Sequence, residues 1–406
     1  MDDAVNNVTR DMGNVNMSEV SRPYDIIKLN GEPQNPIAFD APKIDRGRRD
    51  TVLVWHPVED EHVQCSNVLF RNDLKSLSLA YWNVPHKEPI KTIMGYVQIC
   101  HILRRCASDE SESSESENDS EIEDDDIVFQ LTDQYVAVKV NNCKTMESLR
   151  NRHAEDPLKE IAAMQWIGND HPHVMGCFDV LFDGVNINVV MPFCKHGDLF
   201  GLLQIHQRSA SPGMEENKAR SIFRQLMLGI KHLQSKGICH RDMSPENIML
   251  NDDGGIIIDM GMSLRIPYLD VPSGAVVDIT KGQRKLLIAP QGACGKLPYM
   301  APEIYANSLR NDKTPFDGEA VDIWSSGTIL FCMLTGNRSY HRAHRSDPQY
   351  YWMTRDIKRL LQDWNLNLTS EATNILEGML QENPRERTTL EEVLNHPWLQ
   401  QPLRLV

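Results

Sequence analysis

In the run Cys239-His240-Arg241-Asp242-Met243-Ser244-Pro245-Glu246-Asn247 a carboxylate is followed five residues later by a side-chain amide, and a second carboxylate, Asp259, closes the apolar run Ile256-Ile257-Ile258. A carboxylate aimed to take a proton from a hydroxyl, with a carboxylate and an amide offering hard oxygen ligands to a divalent cation, are groups that phosphoryl transfer needs. That reaction asks little covalent help of a protein. It asks that phosphates be held in line, that their charge be neutralised and that the acceptor be oriented. Taken singly, each group has an ordinary explanation: an Asp after three isoleucines also opens a turn before Gly261. Order and spacing along the chain decide between the two.

The elements that must position these groups fall into two kinds. Gly95 to Leu103, Ile127 to Leu131 and Tyr135 to Val140 are apolar and β-rich, and the acidic, Ser-rich tract Ser108 to Asp126 after the first of them interrupts a sheet rather than separating domains. Beyond residue 200 the pattern turns helical: Ile222, Leu226, Ile230 and Leu233 recur at three and four residues, and Gly237 follows as a stop. The fold class expected is α+β, in two lobes: a small antiparallel-sheet lobe with one main helix, then a larger helical lobe. Residues 1–50 read as mostly disordered. Residues 51–86 read as an extension of unknown role whose Val, Leu, Tyr and Trp suffice for a strand or helix packed on the rest of the chain.

Composition narrows the class further. The chain has 406 residues, 41% hydrophobic and 24% charged, as in a globular enzyme. No apolar run reaches the ~18 residues of a membrane span, and the start, Met1-Asp2-Asp3, lacks the features of a signal peptide. A cytoplasmic or nuclear location is therefore expected. Nine scattered cysteines without a C-x-x-C pair imply buried thiols rather than disulfides or a zinc site. Of the net charge of −15, 11 acids lie in Asp109 to Asp126, leaving −4 elsewhere, which argues against nucleic acid as the main partner. Residues 108–126 are nearly all Ser, Asp, Glu and Asn, and are expected to form a disordered loop.

The run around Asp242, with Asp259 after it, resembles the protein kinase superfamily. The resemblance implies that Asp242 accepts the proton of the substrate hydroxyl, that Asn247 and Asp259 hold Mg2+, and that ATP is the phosphate donor. Val136-Ala137-Val138-Lys139 is similar to the strand whose lysine grips the α and β phosphates, and Glu160, 21 residues on, matches its partner on the next helix. Met191 to Cys194 resembles the hinge that binds adenine. Implied ATP-binding residues are thus Gly95, Val97, Ala137, Lys139, Met191, Phe193, Cys194 and Met249. Arg241 belongs to the catalytic loop, Glu303 in Met300-Ala301-Pro302-Glu303 matches the end of the activation segment, Arg387 its pairing arginine, and Asp322 the acid that steadies the loop backbone.

The resemblance runs from about Lys87 to Leu399 and leans towards the Ser/Thr branch that includes calcium/calmodulin-kinase-like enzymes, of which His396-Pro397-Trp398 is typical. It implies a kinase domain over 87–400, with an N-lobe to 190, a hinge over 191–195 and a C-lobe beyond. Little chain follows, so an autoinhibitory or calmodulin-binding helix of the usual kind is not expected. By the same resemblance, Asp198 and Glu246 match acids that receive arginines preceding the acceptor in protein substrates. Ser111, Ser113, Ser114 and Ser116 sit among acids, the setting that acidophilic kinases prefer.

Three departures from the pattern matter. Of the three loop glycines only Gly95 remains, with Ile90 and Thr92 at the other positions, which weakens a phosphate cradle built from backbone amides. Ser244 stands where the Ser/Thr branch carries a lysine, removing one cation from the transferred phosphate. Met260 replaces the Phe after Asp259, an apolar exchange expected to be nearly silent. The alternative class is a pseudokinase or scaffold with weak nucleotide binding. Finally, Gly292 occupies the position of the usual activating threonine, so basal activity without phosphorylation is expected; among other residues Thr280, beside Lys281, Arg284 and Lys285, is the most plausible substitute site, the alternative being that these basic residues are a solvated charge run.

Overall fold

A computed structural model describes residues 35–106, 127–149, 156–208, 213–267, 277–280, 283–311 and 313–402, with the backbone alone over 277–280 and 283–286. The chain divides into two units. Among the described residues a sheet unit falls within Asp40–Asn169 and Met175–Cys194, and a helical unit comprises Asp170–Val174, the described residues from Lys195 onward and residues 35–39.

The sheet unit contains β1 (Asp45–His56), β2 (Glu61–Arg71), β3 (Leu79–Asn83), β4 (Ile90–Lys91), β5 (Gly95–Arg105), β6 (Val128–Asn142), α1 (Cys143–Leu149), α2 (Pro157–Ile167), β7 (Asp179–Phe182) and β8 (Asn186–Pro192). Its eight strands run in the order β3-β2-β1-β7-β8-β6-β5-β4. Pairing is antiparallel except where β1 runs parallel to β6 and β7. Further pairings of β3 with β5 and of β1 with β6 close β1, β2, β3, β5 and β6 into a ring. Closure of this kind covers edges that would otherwise present unpaired N–H and C=O groups.

The structure corrects one expectation and sharpens another. Residues 45–50, part of the stretch read as mostly disordered, open strand β1, and residues 51–86, read as a strand or helix packed on the rest of the chain, supply strands of the same sheet that carries Lys139. The cause is an alternation that composition hides. Val52 and Val54 point inward while Leu53 between them is 39% exposed, so a half-buried strand reads as a plain apolar run. The ring encloses Val54, Phe70, Ala80, Leu103 and Phe129, with the rings of Phe70 and Phe129 6.0 Å apart. Polar contacts add to the tie: Arg71 pairs with Asp45 at 2.6 Å and with Asp179, to which Tyr81 also donates its hydroxyl. Burial, reinforced by Asp179, pushes the Tyr81 phenol far above its ordinary range, so it remains a donor. The expected insert 108–126 lies outside the described residues, as do residues 1–34.

Helix α2 begins where its sequence says it must. Asp156 accepts from Leu158 N at 3.0 Å, Pro157 occupies the first turn, and Gly168 at φ 76° ends the helix. Ile161, Ala163, Met164 and Ile167 are buried, which fixes the face on which Glu160 emerges.

The helical unit contains α3 (Leu199–Gln207), α4 (Glu216–Ser235), the short strands β9 (Ile238–Cys239), β10 (Ile248–Asn251), β11 (Gly254–Ile257), β12 (Leu264–Arg265), β13 (Val277–Thr280) and β14 (Gln283–Leu286), then α5 (Pro302–Leu309), α6 (Gly318–Thr335), α7 (Pro348–Arg355), α8 (Ile357–Asp363), α9 (Ser370–Met379), α10 (Leu390–Leu394) and α11 (Pro397–Gln400). In α4 the expected spacing holds: Leu226, Ile230 and Leu233 are buried, and Gly237 follows at φ 68°. Helix α6 is buried on all sides, every residue but Glu319, and its Ser325, Ser326, Thr328 and Thr335 hydroxyls donate to main-chain carbonyls. Buried Trp398 donates its indole N–H to Glu216 at 2.9 Å, with Arg220 5.1 Å above its ring. Among the described residues no helix is long and apolar enough to cross a membrane.

Candidate active site

In the sheet unit Lys139 Nζ lies 2.7 Å from both carboxylate oxygens of Glu160. Strand β6 supplies the lysine because its alternation sends Val136, Val138 and Val140 to the core and Ala137 and Lys139 to the other face. Register gathers the expected adenine and phosphate residues on that face. Val97 and Val189 flank Lys139, and Met191 pairs with Ala137. Phe193 and Cys194 follow β8, the first with its ring 6.2 Å from Tyr135 and the second buried.

Gly95 has a different reason for being glycine. A Cβ there would lie 2.0 Å from the Val140 carbonyl oxygen, so the close approach of β5 to β6 alone demands it. Thr92, at an expected glycine position, donates its N–H to Gly95 O at 2.9 Å in the tight turn between β4 and β5.

In the helical unit the loop after β9 is held from beneath. Fully buried Asp322, on α6, accepts from His240 N at 2.7 Å and Arg241 N at 2.8 Å, and His240 Nε2 lies 2.9 Å from Ile258 O. Burial pushes the Asp322 carboxyl up, against the two N–H groups and the neighbouring His240 and Arg241. Arg241 itself takes φ 69° and Asp259 φ 66°, left-handed backbone that only a well-determined surrounding maintains.

Asp242 is engaged at both oxygens. Asn247 Nδ2 donates to Oδ2 at 3.1 Å and to the Asp242 carbonyl at 2.8 Å, while Lys296 N donates to Oδ1 at 3.1 Å. Burial holds this carboxyl above the ordinary carboxylate range; His240 and Lys296 oppose the rise and Asp259 adds to it. Because the Asn247 amide nitrogen faces Asp242, its carbonyl oxygen is directed elsewhere. Together with Asp259, whose Oδ1 caps the turn at Gly261 N, it offers an amide and a carboxylate oxygen, a donor set that fits Mg2+ provided phosphate and water complete it. Met260 is fully buried in the slot expected of it.

Comparison with known proteins identifies what this arrangement belongs to. The family described as protein kinase domain matches residues 126–399, about two thirds of the chain. The chain belongs to the protein kinase domain family. It is 36% identical over 213 residues to Serine/threonine-protein kinase chk1 of Schizosaccharomyces pombe, covering 52% of this chain and 37% of that protein. It is 32% identical over 255 residues to Serine/threonine-protein kinase CHK1 of Mycosarcoma maydis, covering 63% and 32%. It is 28% identical over 272 residues to the human SNF-related serine/threonine-protein kinase, covering 66% and 31%. The chain thus spans about a third of the length of these relatives.

As a kinase domain the chain is unusual at its edges. The match begins after β5, leaving out Gly95 and Val97. Glu303 and Arg387 form a fully buried bidentate pair at 2.8 and 3.0 Å, and the same guanidinium reaches Ala320 O and Gln381 O. Arg241 donates to the carbonyls of Met262 at 3.2 Å and Gly292 at 3.1 Å, with Phe316 5.6 Å beneath. Of the expected substrate acids, Asp198 caps α3 through Gly201 N at 2.7 Å, and Glu246 lies 3.4 Å from Lys296 Nζ. Met249, on β10, pairs with Ile256 and bridges Asp198.

Sequence reasoning missed Gly295 and Lys296. Lys296 Nζ donates to the buried Ser244 hydroxyl at 2.8 Å. The signal was present: a Gly-Lys pair seven residues before Glu303, in a chain that lacks a lysine at 244.

Proposed function

We propose that the chain is a protein Ser/Thr kinase transferring the γ-phosphate of ATP to hydroxyls of protein substrates. The observation that carries this reading is the Asp242 carboxylate, fixed between Asn247 and the Lys296 N–H, with burial raising it in the direction that makes a carboxylate a better proton acceptor. Asp242 accepts the proton of the acceptor hydroxyl. Lys139, oriented by Glu160, holds the α and β phosphates, and Asn247 with Asp259 would hold Mg2+, which supplies charge neutralisation across the phosphates. The Ser/Thr assignment draws on the names of the relatives and on the His396-Pro397-Trp398 end.

Asp198 and Glu246 belong to this reading as acids for an arginine before the acceptor, although both already have partners within the chain. The Ser-rich tract 108–126 is proposed as a target of an acidophilic kinase. A cytosolic or nuclear location also belongs to it, supported by nine free thiols. Incubation with Mg2+ and labelled ATP tests the reading: label enters a protein substrate with wild-type chain and not with Asp242→Asn.

A second reading, a pseudokinase that scaffolds partners, is favoured by one observation. Packing against Val140 accounts for Gly95, so no glycine of the loop is left for phosphate alone to explain. Nucleotide binding without any transfer under the same conditions would select it.

A further inference from the structure

Ser244 and Lys296 look like one exchange. The catalytic loop lacks the lysine that the Ser/Thr branch carries two residues after its base, and a lysine from the activation segment ends on the serine that replaced it. The segment is placed to do this. Gly295 has φ +91°, and a Cβ on it would come within 2.9 Å of the Arg241 carbonyl oxygen and 3.4 Å of Asp242 Oδ1, so only glycine lets the segment lie this close. The next residue then donates its main-chain N–H to Asp242 and its ammonium to Ser244.

The ammonium is not used up by these contacts. It carries three N–H donors. Ser244 Oγ takes one at 2.8 Å, and Glu246 Oε2, at 3.4 Å, makes an ion pair without hydrogen-bond geometry. A cation whose nearest partner is a neutral hydroxyl, and whose own backbone bonds to the proposed base, is suited to an incoming anion.

We propose that Lys296 supplies, from the activation segment, the cation that Ser244 leaves out of the catalytic loop, and that it binds the transferred phosphoryl group. This rests on the kinase reading above. In the step, the bond from the γ-phosphorus to the ADP oxygen breaks with its electron pair going to ADP, the acceptor oxygen bonds to phosphorus, and the hydroxyl proton goes to Asp242. Lys296 remains an ammonium throughout and neutralises charge on the phosphoryl oxygens. One consequence is that the segment brings in cation and base contact together, so displacing it removes both.

The test compares wild type, Lys296→Thr, Ser244→Lys and the double variant Ser244→Lys/Lys296→Thr, each with melting temperature, kcat, and equilibrium binding of ADP and of the nonhydrolysable imido analogue of ATP. Expected for Lys296→Thr is a loss of about 10²-fold in kcat, on the scale of removing one transition-state donor, with an unchanged melting temperature. The ratio of ATP-analogue to ADP affinity also falls, because only the former carries a γ-phosphate. The double variant recovers about tenfold or more of that kcat, whereas Ser244→Lys alone, placing two ammoniums together, does not exceed wild type. Wild-type kcat and affinity ratio in Lys296→Thr would overturn the proposal. So would a double variant that folds but recovers nothing, since Lys296 would then serve only to hold Glu246 and Ser244. Absence of transfer by wild type removes the kinase reading, and the affinity ratio then still decides the role of Lys296.

Discussion

Each unit holds a lysine–glutamate pair of its own, and the two are built differently. Lys139 and Glu160 are 21 residues apart, meet at 2.7 Å through both carboxylate oxygens and are largely shielded from water. Lys296 and Glu246 come no closer than 3.4 Å, are more exposed, and share the lysine with Ser244. The first pair is a finished contact that aims a lysine. The second leaves its lysine available, and it depends on how the activation segment lies rather than on a strand and a helix. A pair fixed by regular structure serves positioning, whereas a cation carried on a segment is open to regulation.

The largest expected effect comes from breaking the finished pair and the base. Lys139→Met and Asp242→Asn should each lower phosphate transfer by about 10²–10⁴-fold, the usual range for losing such a group. Circular dichroism should show both variants folded, because similar volume remains in each place. Wild-type turnover in either variant would remove its assigned role.

Next in size is an effect on stability. If the N-terminal strands are part of the structure that carries Lys139, Phe70→Ala in β2 should destabilise the sheet unit by about 3–5 kcal/mol, as large-to-small changes at buried phenylalanines do. Phe70 is 1% exposed and packs on Phe129 of β6, the strand of Lys139. Chemical denaturation followed by tryptophan fluorescence reads this, and a loss below about 1 kcal/mol would mean that β1 to β3 are an appendage after all.

The contrast between the two pairs also explains what was legible in the sequence. The Lys139–Glu160 pair, Asp242, Asn247, Asp259, Asp322 and the Glu303–Arg387 pair stood in order at recognisable spacings, and the chain forms the Lys139–Glu160, Asn247–Asp242, His240–Asp322 and Arg387–Glu303 hydrogen bonds. Lys296 was missed although both departures stood in the sequence, because its meaning arises only when it is read together with a residue 52 positions away. The strands before residue 86 were unreadable for another reason. Leu53 on the outer face masks the alternation of β1, and ring closure by parallel pairing of β1 with β6 leaves no local trace. The α4 pattern, by contrast, was local and held.

A smaller effect concerns protons. Burial raises the Asp242 carboxyl in the folded chain, so activity should fall on acidification at a pH above the ~4 of an ordinary aspartate. In Lys296→Thr the acid limb should move higher still, because Lys296 opposes the rise. For stability the sign is fixed by the same direction. A carboxyl whose folded value is raised binds its proton more tightly folded than unfolded, so what it contributes is present at low pH and lost as pH rises through the folded value. Asp242→Asn should therefore melt at or above the wild-type temperature at pH 7, with the gap closing as pH falls. A lower melting temperature at pH 7 would contradict the raised value.

The smallest expected effect is none at all, and it tests whether the segment that carries Lys296 is ordered without phosphate. Thr280 ends β13, Arg284 and Lys285 lie in β14, and these two strands pair with each other; their side chains, and Lys281, lie outside what the structure describes. What is described is the arginine that a phosphate would need. Arg241 already donates to the Gly292 and Met262 carbonyls and sits over Phe316, so its charge is directed at the segment backbone at the very position where the usual threonine is replaced by glycine. Below it, Gly295 and Lys296 fasten the chain to Asp242. Contacts at Gly292, Gly295 and Lys296, within five residues, fix the segment beside the base without a covalent modification. Phosphatase-treated protein, untreated protein and Thr280→Ala should accordingly show equal rates of label incorporation. Loss of most activity in both altered samples would make Thr280 the switch, and the placement of Lys296 would then depend on its phosphate.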